Sequence, residues 1–203
     1  MNDLQVINGT LIKKYVSLFD QNEKSFFADQ AIVKLFKSFP ANSKLEDILL
    51  KISVINDLYS TNIFGTFKMA KHILGLQIDN AINIGDPQIV NRIAIGHGLC
   101  TKKNDTELNF YSFATKYCAW HNPDCYAIYD SFVDKVLISY RNQDNFSDFK
   151  NNDLRDFTSF MRIISDLKTH YQINDVSLKD IDKFLWMYGK EKFPTKYLKK
   201  NDH

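Results

Sequence analysis

Proline and glycine are scarce, with four and seven in 203 residues. Sandwiches and barrels need frequent turns, and turns draw on these two residues most heavily. Their scarcity sets the all-β classes aside and favours long helices. Cysteine is scarcer still, at Cys100, Cys118 and Cys125. An odd number of thiols does not read as a disulfide framework, and a reducing cytoplasm is the expected setting. No apolar run approaches the ~20 residues that span a bilayer. The opening MNDLQVINGT also lacks the basic-then-apolar order of a signal peptide, so no membrane partner is expected. Nor does one sign of charge dominate: 26 Lys plus Arg against 24 Asp plus Glu leave +2. That balance speaks against a strongly basic nucleic-acid binder and an acidic tail, while leaving room for a local basic face.

What the chain does hold is apolar and aromatic: 44% hydrophobic and 14% aromatic, with 25% charged. This is globular composition, sufficient for one sizeable core or a core with a small lobe. Helical spacing dominates. Phe27, Ala31, Val33, Leu35 and Phe36 form a stripe over Ser25–Phe39, which Pro40 ends. Ser43-Lys-Leu-Glu46 has the form of a capping box and opens a second helix. Further helices are expected over Asn62–Leu76, after Asp86-Pro87, over Asn109–His121, from Asp130, and over Leu154–His170 and Ser177–Tyr188. Asn142–Asn152 is polar and has the composition of a surface loop. The expected fold is all-α with about eight helices. It forms one compact domain over residues 1–203, or two closely packed lobes with a cleft between them.

Phe110–Val133, FYSFATKYCAWHNPDCYAIYDSFV, is the stretch richest in chemistry. Lys116 stands among Phe113, Ala114, Tyr117 and Ala119, so its ammonium is a candidate for desolvation. Desolvation lowers a lysine pKa, which is one way an amine becomes a nucleophile near neutral pH. Asp130 follows Ala-Ile-Tyr at a helix start, where a carboxylate caps the next helix. Trp120 lies one turn beyond Lys116 on the same face. An amine, a carboxylate and a flat aromatic can thus meet in one pocket.

This helix–Lys–turn–Asp–helix order resembles the helix-hairpin-helix DNA glycosylase superfamily, in particular its 8-oxoguanine glycosylase branch. The resemblance spans roughly residues 45–198. It implies a glycosylase-like helical fold and a bifunctional glycosylase/AP lyase acting on double-stranded DNA with a damaged base. Lys116 and Asp130 would be its catalytic pair. Trp120 would stack on the extruded base, and Trp186, in the closing segment Leu178–Gly189, would contact it, with His121 beside them. Ser60, Thr61 and Asn62, in the segment Ile55–Asn62, would face the DNA together with Lys68, Lys102 and Lys103. No metal or other cofactor is called for. The expected form is a monomer in a prokaryotic cytoplasm, associated with the nucleoid. One departure stands out: family hairpins place a Gly-hydrophobic-Gly turn directly before the lysine helix, where this chain has Phe110-Tyr-Ser-Phe-Ala-Thr.

Plainer readings exist for each residue. Lys116 can snorkel, with its stem on the core and its head in water. Asp130 can be a cap alone, and both tryptophans can be core. His97-x-x-Cys100 with Cys118, His121 and Cys125 offers ligands for zinc, though not at a standard spacing. A non-catalytic nucleic-acid- or protein-binding protein on the same scaffold is the alternative function, and the missing glycine turn is its best support.

Overall fold

The computed structural model describes residues 4–96 and 108–194. Among the described residues there are ten α-helices, one 3₁₀ turn and no strand, so the all-α class holds and the number of helices rises from about eight to ten. The two additional helices are α1 (Gly9–Gln21) and α5 (Asp79–Asn83). α1 buries only Leu11, Ile12 and Tyr15. α5 has five residues, too few for periodicity to register.

Asparagine does much of the capping near the start. Asn8 accepts Leu11 N–H at 2.9 Å to open α1. Asn22 closes α1 and opens α2 (Glu23–Ser38) by accepting Ser25 N–H at 2.9 Å. α3 (Leu45–Tyr59) corrects the capping-box expectation, because its cap is Lys44 and no side chain caps it. Glu46 and Asp47 in its first turn complement the helix dipole instead.

α4 begins at Thr66 rather than Asn62. Asn56 pins the intervening chain into a turn by accepting from Ile63 N–H at 2.8 Å and Thr61 Oγ1 at 2.9 Å. Within that turn Ser60 and Asn62 take left-handed φ values of 50° and 58°. Phe64, at its tip, is 96% exposed. α4 (Thr66–Leu76), α5 and α6 (Gln88–Ala94) follow. Asp86 accepts Gln88 N–H at 2.9 Å.

α7 (Tyr111–His121) is the central element. Eight of its side chains are buried, Tyr111 and the seven consecutive residues Phe113 through Ala119, so protein encloses it. A helix covered on every side has no free face on which to place a polar group, so Thr115 and Lys116 must find partners inside. α8 (Ser131–Asp144) leads to a loop whose Phe146 and Phe149 are buried, which corrects the expectation of a purely surface loop there. A 3₁₀ turn (Asn151–Arg155), α9 (Phe157–His170) and α10 (Leu178–Lys192) complete the described chain.

One apolar cluster runs through all of these helices. α1 packs on α10, α10 on α8, α3 on α4, and α6 on α7, with α2 and α3 also against α7. Tyr140 donates to Gln5 C=O at 2.7 Å and Gln5 N–H to Tyr188 Oη at 2.9 Å, tying the first residues to α8 and α10. No described helix is long and apolar enough to cross a membrane.

The α8–α10 crossing depends on Gly189. A Cβ there would meet Phe132 Cβ at 2.8 Å and Phe132 C=O at 3.1 Å. Gly75, inside α4, has open space around it. The two alanine substitutions should therefore have opposite signs in thermal melts. Gly75→Ala should gain up to about 1 kcal/mol from helix propensity. Gly189→Ala should lose about 1–3 kcal/mol to overpacking.

Candidate active site

A cleft of about 1000 Å³ opens between α2, the end of α3, α7 and α10. Lys116, Trp120, His121, Asp130 and Trp186 all line it. The segment between α7 and α8 is held so that this happens. Asn122 donates to Ile82 C=O at 2.9 Å, and Tyr126 Oη to Asp86 C=O at 3.0 Å. Thr115 Oγ1 accepts Tyr129 N–H at 3.1 Å, which places Asp130 one residue beyond a fixed point on α7. Asp130 then accepts Phe132 and Val133 N–H groups at 2.8 and 2.9 Å through Oδ1, leaving Oδ2 outside the cap.

Lys116 does not snorkel. It is 3% exposed, and its Nζ donates to Ser112 Oγ at 2.8 Å and to the carbonyls of Ser112 and Tyr129, both at 3.3 Å. The Tyr59 ring centroid lies 5.6 Å away. Burial pushes the amine below the ordinary lysine range, while Asp130 and Asp182 push it back up.

Asp182 is the residue that sequence reasoning missed. Asp182, Trp186 and Lys190 recur every four residues on α10, so all three face the cleft. Burial and the neighbouring Asp130 hold the Asp182 carboxyl well above the usual carboxylate range, with Lys116 opposing. The available signal was an aspartate between Ile181 and Phe184, both core residues. Asp130 and Asp182 thus share a site with one amine.

The aromatic walls are engaged by cations. Lys179 Nζ lies 4.7 Å from the Trp120 ring and 3.2 Å from Asp29 Oδ2. Lys190 Nζ lies 5.0 Å from the Trp186 ring. Lys24, Lys37 and Lys183 also line the cleft. Of the residues expected to face DNA, Ser60 lines the rim, and Thr61 and Asn62 share its turn. Lys68 is exposed on α4 and does not line the cleft. Lys102 and Lys103 lie outside the described residues, as do His97 and Cys100. Cys118 is buried in the core, where burial pushes its thiol up, and no described group of three His, Cys, Asp or Glu residues is placed to hold a metal.

The fold and cleft define an all-helical protein with a buried amine set against two carboxylates. Residues 11–125 match the family model HI_0787_N, described as an N-terminal domain, and the chain belongs to that family. A protein of Haemophilus influenzae described as uncharacterized is 40% identical over 154 residues, covering 74% of this chain and 70% of that protein. No solved structure matches the chain. The family match takes in Lys116, Trp120 and His121 and ends before Asp130, Asp182 and Trp186.

A carboxyl that folding holds protonated binds a proton that the unfolded chain has released above its ordinary pKa of about 3.9. Each unit of pH above that value therefore favours unfolding until the folded pKa is reached. Asp182→Asn removes this penalty. In urea titrations the variant should be more stable than wild type at pH 7, and the gain should shrink to nothing near pH 4.

Proposed function

We propose that this protein is a DNA base-excision glycosylase with AP lyase activity, and that the cleft receives a damaged base turned out of duplex DNA. One observation carries the proposal. A buried amine with a lowered pKa, Lys116, shares a cleft with two carboxylates, Asp130 and Asp182, and with Trp120 and Trp186. An enzyme that works on a base inside a duplex must extrude it into such a pocket and hold it by stacking and edge contacts.

Neutral Lys116 Nζ attacks the anomeric carbon of the extruded nucleotide. The new N–C bond forms as the glycosidic bond breaks, and that bond's electron pair leaves with the base, which takes up a proton. Asp130 offsets the positive charge developing on the sugar. Lys116 nitrogen then sheds its proton, the sugar ring opens to the Schiff base, and β-elimination releases the 3′ phosphate. The lysines at the rim supply phosphate contacts. An oxidised purine such as 8-oxoguanine is the proposed lesion, in the DNA of a prokaryotic cytoplasm, with the protein acting as a monomer.

A non-catalytic binding protein on this scaffold is favoured by a separate observation. α7 is preceded by Phe110 at the cap position, with no side-chain cap and no glycine turn to anchor a phosphate.

Borohydride trapping separates the two. Wild-type protein should form a covalent adduct with a duplex containing 8-oxoguanine, and Lys116→Gln should form none. Asp130→Asn keeps a good cap residue and should slow base release by about 10²–10⁴. Excision in single turnover should quicken as pH rises through the lowered Lys116 pKa, because the neutral amine is the nucleophile. Absence of any adduct across a lesion panel would reject the enzyme in favour of the binding protein.

A further inference from the structure

A second buried lysine stands behind the cleft wall. Lys51, on α3, is 0% exposed. Its Nζ donates to Phe39 C=O at 3.1 Å, Ala41 C=O at 3.0 Å and Asn42 Oδ1 at 2.7 Å, and lies 3.3 Å from His121 Nε2. The Asn42 amide is fixed in turn. Its Nδ2 donates to Asp79 Oδ1 at 2.6 Å and its backbone N–H to both Asp79 oxygens at 3.0 Å. Asn42 Oδ1 is therefore the acceptor, receiving Tyr117 Oη–H at 2.5 Å as well as Lys51. The chain of contacts runs Asp79–Asn42–Lys51–His121 and ends at the cleft, which His121 lines.

Counting donors decides the state of the imidazole. Three of the four atoms around Lys51 Nζ are oxygens that can only accept in this network, and an ammonium has three protons and no lone pair. A proton on His121 Nε2 would face that ammonium with nothing to receive it. Nε2 must present its lone pair, so the ring proton sits on Nδ1. Nδ1 has no hydrogen-bond partner among the described residues. The ring is braced edge-on by Phe36, with centroids 4.7 Å apart, and lies 5.1 Å from Tyr117. The electrostatics agree. Burial brings Lys51 down to about 8, with Asp79 and Asp47 opposing, so at pH 7 it is still mainly an ammonium. Burial and the Lys51 charge push His121 down to about 3, so it stays neutral.

We propose that Lys51 is a positioning residue that fixes His121 as its neutral Nδ1–H tautomer, giving the cleft wall one permanent hydrogen-bond donor. That donor takes a neutral acceptor on the occupant's edge, a carbonyl oxygen or an unprotonated ring nitrogen of a heteroaromatic base. The ligand class rests on the base-excision proposal above, whereas the tautomer does not. Neither Lys51 nor Asn42 adjoins the cleft chemistry in sequence, and Lys51 touches the occupant only through His121.

Long-range ¹H–¹⁵N spectra of the wild-type protein test the tautomer directly. His121 should show a protonated Nδ1 and an unprotonated Nε2, unchanged from pH 5 to pH 7, where Lys51 is mainly an ammonium. A protonated Nε2, or a ring that becomes cationic near pH 6, would overturn the proposal whether or not the protein excises bases. Lys51→Met frees three oxygens to accept from the ring, so the folded variant should move toward the Nε2–H form. A folded Lys51→Met protein with its tautomer unchanged also overturns the proposal, and if it does not fold the wild-type spectrum still decides. For the ligand, an asparagine amide nitrogen can occupy the place of Nδ1 and a glutamine amide nitrogen that of Nε2. His121→Asn should lose less kcat/KM for 8-oxoguanine duplex than His121→Gln and His121→Leu, which should lose about tenfold or more. Equal losses in all three would remove the donor role. A wild-type protein that excises nothing would remove the ligand class together with the base-excision proposal, leaving the spectrum to decide the tautomer alone.

Discussion

Everything around the cleft depends on two side chains of α7 reaching the backbone of Tyr129. Thr115 Oγ1 takes the Tyr129 N–H at 3.1 Å, and Lys116 Nζ donates to the Tyr129 carbonyl at 3.3 Å. Both residues are polar on a helix enclosed by protein, so neither can turn to water. The residue they hold is the last before Asp130. The α8 cap, the position of its carboxylate and the approach of α10 onto α8 all follow from it. A hydrophobic helix packed in the same place would leave this segment to be held by Asn122 and Tyr126 alone.

Stability does not account for the polar residues found here. Hydrogen bonds to a charged group contribute about 1.5–3 kcal/mol each. Taking an ammonium out of water costs several kcal/mol even after relaxation. For Lys116, with its donors spread over Ser112 and Tyr129, the two nearly cancel, and an apolar side chain of equal length would pack at no such cost. Asp182 has the same problem with the opposite charge, and its proximity to Asp130 adds repulsion. Grouping one amine with two carboxylates softens the expense without removing it. Residues that burden a fold in this way mark the cleft as a candidate functional site.

The sequence was most legible where the relevant contacts are local. Lys116, Trp120 and His121 share one helix, and Asp130 caps the next after a short turn, so spacing alone brings them near one another. The Asp130 and Ser177 caps follow from residue type at a helix start. The capping box at Ser43 failed because the chain from Phe39 to Asn42 is tied down by Lys51 and Asp79, 37 residues further on in the latter case. That tie delays the helix start by a residue and leaves Lys44 as the cap. Asp182 and Lys51 were hidden for a related reason. Each is an ordinary charged residue on an amphipathic helix, and only the way α10 packs on α1 and α8, and α3 on α4 and α7, turns it inward.

The charge distribution also takes on a more specific form than a net of +2 conveys. Lysines and aspartates are not scattered over the cleft at random. Asp130 and Asp182 stand with Lys116 at depth, while Lys179 and Lys183 pair with Asp29 and Asp20 at 3.2 and 2.6 Å toward the outside. Asp29 is buried and Lys183 largely covered, so neither pair is as fully screened as an ion pair in open water. Asp130 and Asp182 are half-buried, and burial together with the neighbouring Asp130 holds the Asp182 carboxyl well above the usual carboxylate range. The cleft therefore sets carboxyl groups beside the amine and lysines nearer its rim. Under the base-excision proposal, a uniformly basic pocket would leave nothing to offset positive charge on a reacting sugar.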